Sequence, residues 1–173
     1  MGNNDMREIL VKLVDQLGTI HGKKAFQKLV YFFQEAEGVP LGLEFQMHFY
    51  GPYSPSLDMH LHRLALLSLL DLSGTIEGPV QIKCTSRGQE AIKNKRAYED
   101  EIGRLFGNLA AENPRKLELL ATTHYLAKRT RYDGSQASRE RLVTAVKAWK
   151  ESRFRNAEIE GAIKQLRELG YLN

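Results

Sequence analysis

Apolar residues recur along most of this chain at the spacing of a single helix face. Ile9, Leu10, Leu13, Val14 and Leu17 predict an amphipathic helix over 6–17, ended by Gly18. A second helix is expected over 23–37, with Phe26, Leu29, Val30 and Phe33 on one stripe and Tyr31 and Phe32 off it. A helix apolar around so much of its circumference is buried between neighbours. Gly38 and Pro40 stop it. The period then changes to two: residues 43–50 predict a half-buried strand with Phe45, Met47 and Phe49 on one face, broken at Gly51-Pro52-Tyr53.

Ser54 is placed to cap the next helix, with Pro55 at its first position, where a missing N–H costs nothing. Leu57, Leu61, Leu64, Leu67 and Leu70 mark its stripe. A hairpin follows, turning at Glu77-Gly78-Pro79 and returning over 80–83. Thr85 then caps a helix expected over 86–109, bent near Gly103 or Gly107. Helix, hairpin, Thr-x-x-Gly, helix is the order of a winged helix-turn-helix.

In the second half, Asn113 caps a helix from Pro114 to about Arg129, and residues 132–135 form a loop. A helix over 138–150 is expected to point Leu142, Val143, Val146 and Trp149 inward. Asn156 is the expected cap of a last helix with Ile159, Ala162, Ile163, Leu166 and Leu169 as its stripe, ending at Gly170 in a Schellman-like pattern. These last two helices have helix-turn-helix proportions. The expected fold is mainly α with a small β-hairpin. A winged-helix-like N-terminal part, residues 1–110, packs on a helical C-terminal part, residues 111–173, the two sharing one core.

Composition narrows the class. Hydrophobic residues at 42% and charged residues at 27% are globular values. One cysteine, Cys84, excludes an intramolecular disulfide and fits a reducing compartment. The first residues lack the pattern of a signal peptide, and the oily stretch 64–70 is far short of the roughly 20 residues that span a bilayer. A cytoplasmic protein with no membrane partner is expected.

The net charge of +4 is unevenly spread. Residues 1–86 hold 7 Lys and Arg against 9 Asp and Glu, and residues 87–173 hold 18 against 12. Lys128, Arg129, Arg131, Arg139, Arg141, Lys147, Lys150, Arg153 and Arg155 face only Asp133, Glu140 and Glu151 within 128–155. Such asymmetry points to an anionic partner, nucleic acid foremost, although a solvated helical face has the same composition. Lys and Arg contacts to phosphate supply most non-specific affinity. Lys128, Arg129, Arg131, Lys147, Lys150, Arg153 and Arg155 are therefore read as the nucleic-acid contacts. The helix after Pro55 offers base edges only His60, His62 and Arg63.

Candidate chemistry is sparse. The chain has no phosphate-binding loop, strand-linked G-x-G-x-x-G, H-E-x-x-H or G-x-S-x-G. His60 and His62 point to different faces of their helix, and Cys84 reads as a small buried hydrophobe. No catalytic residue, metal ligand or cofactor is expected. Eight of the fifteen aromatics crowd into 26–57, where they mark a core or a surface built to hold a partner. Within that run, Tyr50, Pro52, Tyr53 and Ser54 form a rigid corner read as a protein-partner site. The same corner also reads as one that merely sets the angle between strand and helix.

The run Phe26-Gln27-Lys28-Leu29-Val30-Tyr31-Phe32, then Phe49-Tyr50-Gly51-Pro52-Tyr53-Ser54-Pro55-Ser56-Leu57, then Leu69-Leu70 and a hairpin, resembles the YwgA-like family of small prokaryotic proteins. It is also distantly similar to the Panacea domain of SocA-like antitoxins, which shows a K-L-x-x-L-x-Y-F run followed by Y-G-P. The resemblance spans about residues 20–90. It implies a mostly helical cytoplasmic protein that binds another protein, often a toxin, or serves in a mobile-element or defence setting. The long basic C-terminal half departs from the antitoxin pattern. The expected function is a non-enzymatic binding or regulatory protein that contacts nucleic acid through that half. The alternative is an antitoxin-like adaptor acting through protein contacts.

Overall fold

A computed structural model describes residues 3–74, 79–151 and 153–173. In chain order the elements are α1 (Asn3–Leu17), β1 (Ile20–His21), α2 (Lys23–Glu35), β2 (Gln46–His48) and β3 (Gly51–Tyr53). Next come α3 (Pro55–Leu66), β4 (Leu70–Ser73), β5 (Gln81–Cys84), α4 (Ser86–Ile92) and α5 (Glu99–Leu109). Three further helices are α6 (Pro114–Thr130), α7 (Gln136–Lys150) and α8 (Asn156–Glu168). The chain is thus mainly helical with small antiparallel sheets. It divides into two units, Met1–Phe45 with Ser54–Ala111, and Gln46–Tyr53 with Glu112–Asn173.

The first unit is built around α2, whose residues Ala25 to Phe33 are all buried. Tyr31 meets Phe32 and Phe45 edge-on, with ring centres 5.5 and 5.2 Å apart. Leu10, Leu13 and Val14 of α1, and Leu57, Leu61 and Leu64 of α3, complete the core as their spacing requires. The sheet runs β1-β5-β4, with Ile20 opposite Ile82 and Leu70 opposite Cys84. Strand β1 is two residues long and leaves no periodic signal in the sequence. Thr85 Oγ1 accepts the Gly88 N–H at 3.0 Å, capping α4. A Cβ at Gly88 would come within 2.2 Å of the Leu69 carbonyl, so that helix start and the residue leading into β4 meet only across a glycine.

Four expectations change among the elements before α6. Residues 86–109 are not one bent helix: α4 stops at Ile92, α5 starts at Glu99, and Gly103 and Gly107 lie inside α5. The break has a cause, since the Lys12 ammonium donates to the carbonyls of Lys95 and Ala97 at 2.8 and 3.2 Å. Tyr98 takes a left-handed φ of 61 beside it. Helix α3 ends at Leu66, before Ser68 turns the chain and Leu70 enters β4. The strand expected over 43–50 shrinks to Gln46–His48, because the Gln34 amide bonds both the N–H and the carbonyl of Leu43. The chain does not simply break after it, because Gly51–Tyr53 pairs back as β3. The expected turn at Glu77-Gly78 lies outside the described residues.

In the second unit α6, α7 and α8 pack on one another and β3 packs on α6. Leu117, Leu120, Leu142, Val146, Phe154, Ile159, Ile163 and Leu166 fill the centre. Asn113 Oδ1 accepts the Lys116 N–H at 2.9 Å and caps α6. Ser135, not Ser138, begins α7, its Oγ accepting the Ser138 N–H at 3.2 Å. At the other end of α7 the expected facing is reversed: Lys150 is buried, and Trp149 is 53% exposed. Helix α8 closes with the Tyr171 N–H on the Leu166 carbonyl at 2.8 Å, the Schellman bond its Gly170 predicted.

Candidate functional site

The Tyr-Gly-Pro-Tyr corner is a hairpin whose tip is Phe49-Tyr50. His48 pairs with Gly51, and Gly51 sits at φ 92, a conformation that side chains resist. That turn throws Phe49 outward to 68% exposure, against the inward facing that strand alternation predicts. Its ring is braced edge-on by Tyr50, with ring centres 4.9 Å apart. Pro52 is buried and Tyr53 half-buried, its ring 5.5 Å from that of His48.

Three charges hold this tip in place. The Lys150 ammonium donates to the Phe49 carbonyl at 2.6 Å and to Glu118 Oε1 at 2.9 Å. Arg153 donates to the other oxygen of Glu118 at 3.0 Å and lies 5.5 Å over the Tyr50 ring. Burial pushes the Lys150 pKa down, Glu118 opposes that shift, and Arg153 adds to it. A buried ammonium survives only with such a partner, so Glu118 and Lys150 stand or fall together.

Ser54 belongs to the first unit and is fully buried. Its Oγ caps α3 at Leu57 N–H, 3.4 Å away, while Gln27 bonds its backbone N–H and carbonyl at 2.9 and 3.0 Å. Ser54 is thus an internal anchor, and Phe49, absent from the residues chosen on sequence, is the exposed member of the corner.

The seven basic residues chosen on sequence fall into two groups. Lys147 and Lys150 lie in the last turn of α7 and Arg153 and Arg155 follow it, with Arg155 near Glu158 and Lys150 and Arg153 on Glu118. Lys128, Arg129 and Arg131 lie at the far end of α6, about 17 Å away at 1.5 Å of rise per residue. Of the first group, Lys147 and Arg155 are exposed, whereas Lys150 is consumed internally. Of the second, Arg129 donates to the Tyr125 hydroxyl at 3.1 Å and lies 5.7 Å over its ring.

Sequence reasoning missed Glu118, Phe49 and the outward Trp149. Glu118 left a readable sign, a lone carboxylate inside Leu117-Glu118-Leu119-Leu120-Ala121. Burial and the neighbouring Asp15 push the Cys84 thiol up to about 11, which keeps it protonated at neutral pH. Among the described residues no group of His, Cys, Asp and Glu gathers in a way that would hold a metal ion. No helix among them is long and apolar enough to cross a membrane.

No family model matches the chain. Over 165 residues, 92% of this chain and 93% of the relative, it is 24% identical to the uncharacterized protein YwgA of Bacillus subtilis (strain 168). That similarity reaches well beyond the 20–90 stretch and supports a YwgA-like family.

Proposed function

We propose that this is a non-enzymatic binding or regulatory protein of the cytoplasm that engages nucleic acid through its second unit. The observation that carries the reading is the state of the charges there. The unit holds thirteen Lys and Arg against eight Asp and Glu. Its acids are largely engaged: Glu118 by Lys150 and Arg153, Glu158 by Arg115, Glu160 by Arg139, and Asp133 by the turn before α7. Lys128, Arg129, Arg131, Lys147 and Arg155 meanwhile stay exposed. Acids so engaged, beside an excess of exposed cations, suit the unit to phosphate.

A winged-helix reading of the first unit fits the same class. Its support is the order helix, strand, helix, helix, hairpin, with β5 between β1 and β4. Helix α3 has Arg63 as its single Lys or Arg and exposes Met59 and Leu66, so the phosphate contacts are assigned to the second unit.

The test is binding of labelled oligonucleotides by anisotropy across a salt series. Affinity should fall steeply with salt, and Lys147→Ala with Arg155→Ala should flatten the slope by about 0.7–0.9 per lost phosphate contact. Undetectable or salt-independent binding overturns the proposal. The exposed Phe49, Met59, Leu66, Phe106 and Trp149 favour a second reading, the antitoxin-like adaptor suggested by the Panacea similarity. Stable co-purification with one protein partner, lost in Tyr53→Ala, distinguishes it.

A further inference from the structure

We propose that a cavity in the second unit holds a nucleoside monophosphate, its ring system against Tyr132 and its phosphate on Lys164 and Arg167. This rests on the nucleic-acid reading above for the class of ligand and gives that class a site. The cavity lies between the loop before α7, helix α8 and the residues that follow α8. Its volume is about 480 Å3, inside the roughly 300–1,000 Å3 of small-molecule sites. Tyr132 and Leu172, both half-buried, and the buried Ile163 give it an apolar wall. Ile163, Lys164 and Arg167 stand three and four positions apart in α8, so the helix turns all three toward one face.

The charges around the cavity differ in how far they are engaged. Arg139 is held by Glu160 through Nε and Nη2, so that pair is a wall and not a ligand. Lys164 stands 3.7 Å from Glu168, beyond hydrogen-bond reach, and the two side chains are 77% and 64% exposed. So open a pair is worth little, and a phosphate of nearly two charges competes with it readily. Arg167 is exposed and makes no ion pair among the described residues. Its planar fork suits phosphate oxygens. Glu168 and Asn173 also line the cavity, and their oxygens suit ribose hydroxyls or ring amino groups, not a further phosphate. An apolar wall, two cations for one phosphate and acceptors for a sugar or base together favour a nucleoside monophosphate over inorganic phosphate or an apolar molecule. Arg131, one of the exposed cations assigned to nucleic acid, directly precedes Tyr132. The monophosphate therefore has two sources, a free nucleotide or the phosphorylated end of a strand.

The whole protein is titrated by calorimetry at low salt with AMP, adenosine and inorganic phosphate. It is then titrated with a DNA hairpin, blunt or carrying a 5′-phosphorylated single-stranded tail. AMP should bind about tenfold tighter than either adenosine or phosphate. Lys164→Ala with Arg167→Ala should bring AMP down to the level of adenosine, and Tyr132→Leu should bring it down toward phosphate. Lys164 and Arg167 are exposed, so the double variant should keep its circular dichroism and unfolding midpoint, which separates loss of the site from loss of the fold. Preference for the tailed hairpin, with AMP displacing it, puts a strand's end in the cavity. A hairpin bound alongside AMP assigns the cavity to a free nucleotide. AMP binding that is absent, no tighter than phosphate, or untouched by the double variant overturns the site and leaves the nucleic-acid reading standing. AMP bound as expected with neither hairpin bound keeps the site and overturns that reading.

Discussion

The two units hold neighbouring stretches of the same corner by opposite means. The first grips Ser54 with one neutral amide, Gln27, whose donor and acceptor satisfy a buried N–H and a buried carbonyl at once. The second grips Phe49 with charge, through Lys150, Glu118 and Arg153. Losing a neutral pair of bonds leaves two dipoles unpaired but no charge. A buried ionic cluster carries a large desolvation cost, so removing a single member exposes that cost uncompensated. The comparison also separates anchoring from display. Ser54 ends inside the first unit, whereas the cluster beneath Phe49 leaves a ring and several cations facing solvent.

The sharpest way to break the comparison is Glu118→Ala. It leaves the Lys150 ammonium buried beside Arg153 with no counter-charge, and should cost about 3–5 kcal/mol in urea unfolding. Glu118→Leu combined with Lys150→Met removes both charges and should recover most of that loss. A small effect of the single change would show that the corner does not depend on ionic anchoring.

Gln27→Ala tests the neutral side. It orphans the Ser54 N–H and carbonyl, and with about 1–3 kcal/mol for each buried group left unpaired, a loss of about 2–6 kcal/mol is expected. Here no second substitution should restore stability, because the orphaned groups belong to the backbone. Recovery of the lost stability by a second side-chain substitution would erase the distinction between the two anchors.

The sequence made helices legible wherever one stripe was unambiguous. The α1 and α2 stripes, the caps at Ser54, Thr85 and Asn113, and the ending of α8 follow from local chemistry that needs no distant partner. The facing of α7 did not, because Leu142 and Val146 extend equally well to Trp149 or Lys150. What decides it is Glu118, 32 residues away in the chain. A ring outranks an ammonium by hydropathy, and only the buried carboxylate reverses that order. Phe49 was misplaced for a related reason: alternation assumes a continuing strand, while Gly51 turns the chain two residues later. The break before Glu99 likewise came from Lys12, far back in α1. The corner's identity was readable, but which of its residues faces water was set by tertiary contacts.

The smallest expected effect concerns the rim of the second unit and sharpens what its charges contribute. The Arg115 guanidinium, and then the Arg155 backbone N–H, hold the Glu158 carboxyl down from its ordinary 4.5 to about 2. Asp133 is shifted in the same direction, chiefly by hydrogen bonds from Ser135 and Ser138. A folded carboxylate below its unfolded value adds stability that is present above the ordinary carboxylate range and lost as pH falls through the folded value. The thermal midpoint should therefore decline between about pH 4.5 and 2 for this pair. Arg115→Gln should lower the midpoint slightly near neutrality, with the difference from the parent narrowing as Glu158 protonates. An offset that stays constant down to pH 2 would place the contribution of Arg115 in its packing over Phe154, 4.6 Å from the ring centre, and not in its bond to the carboxylate.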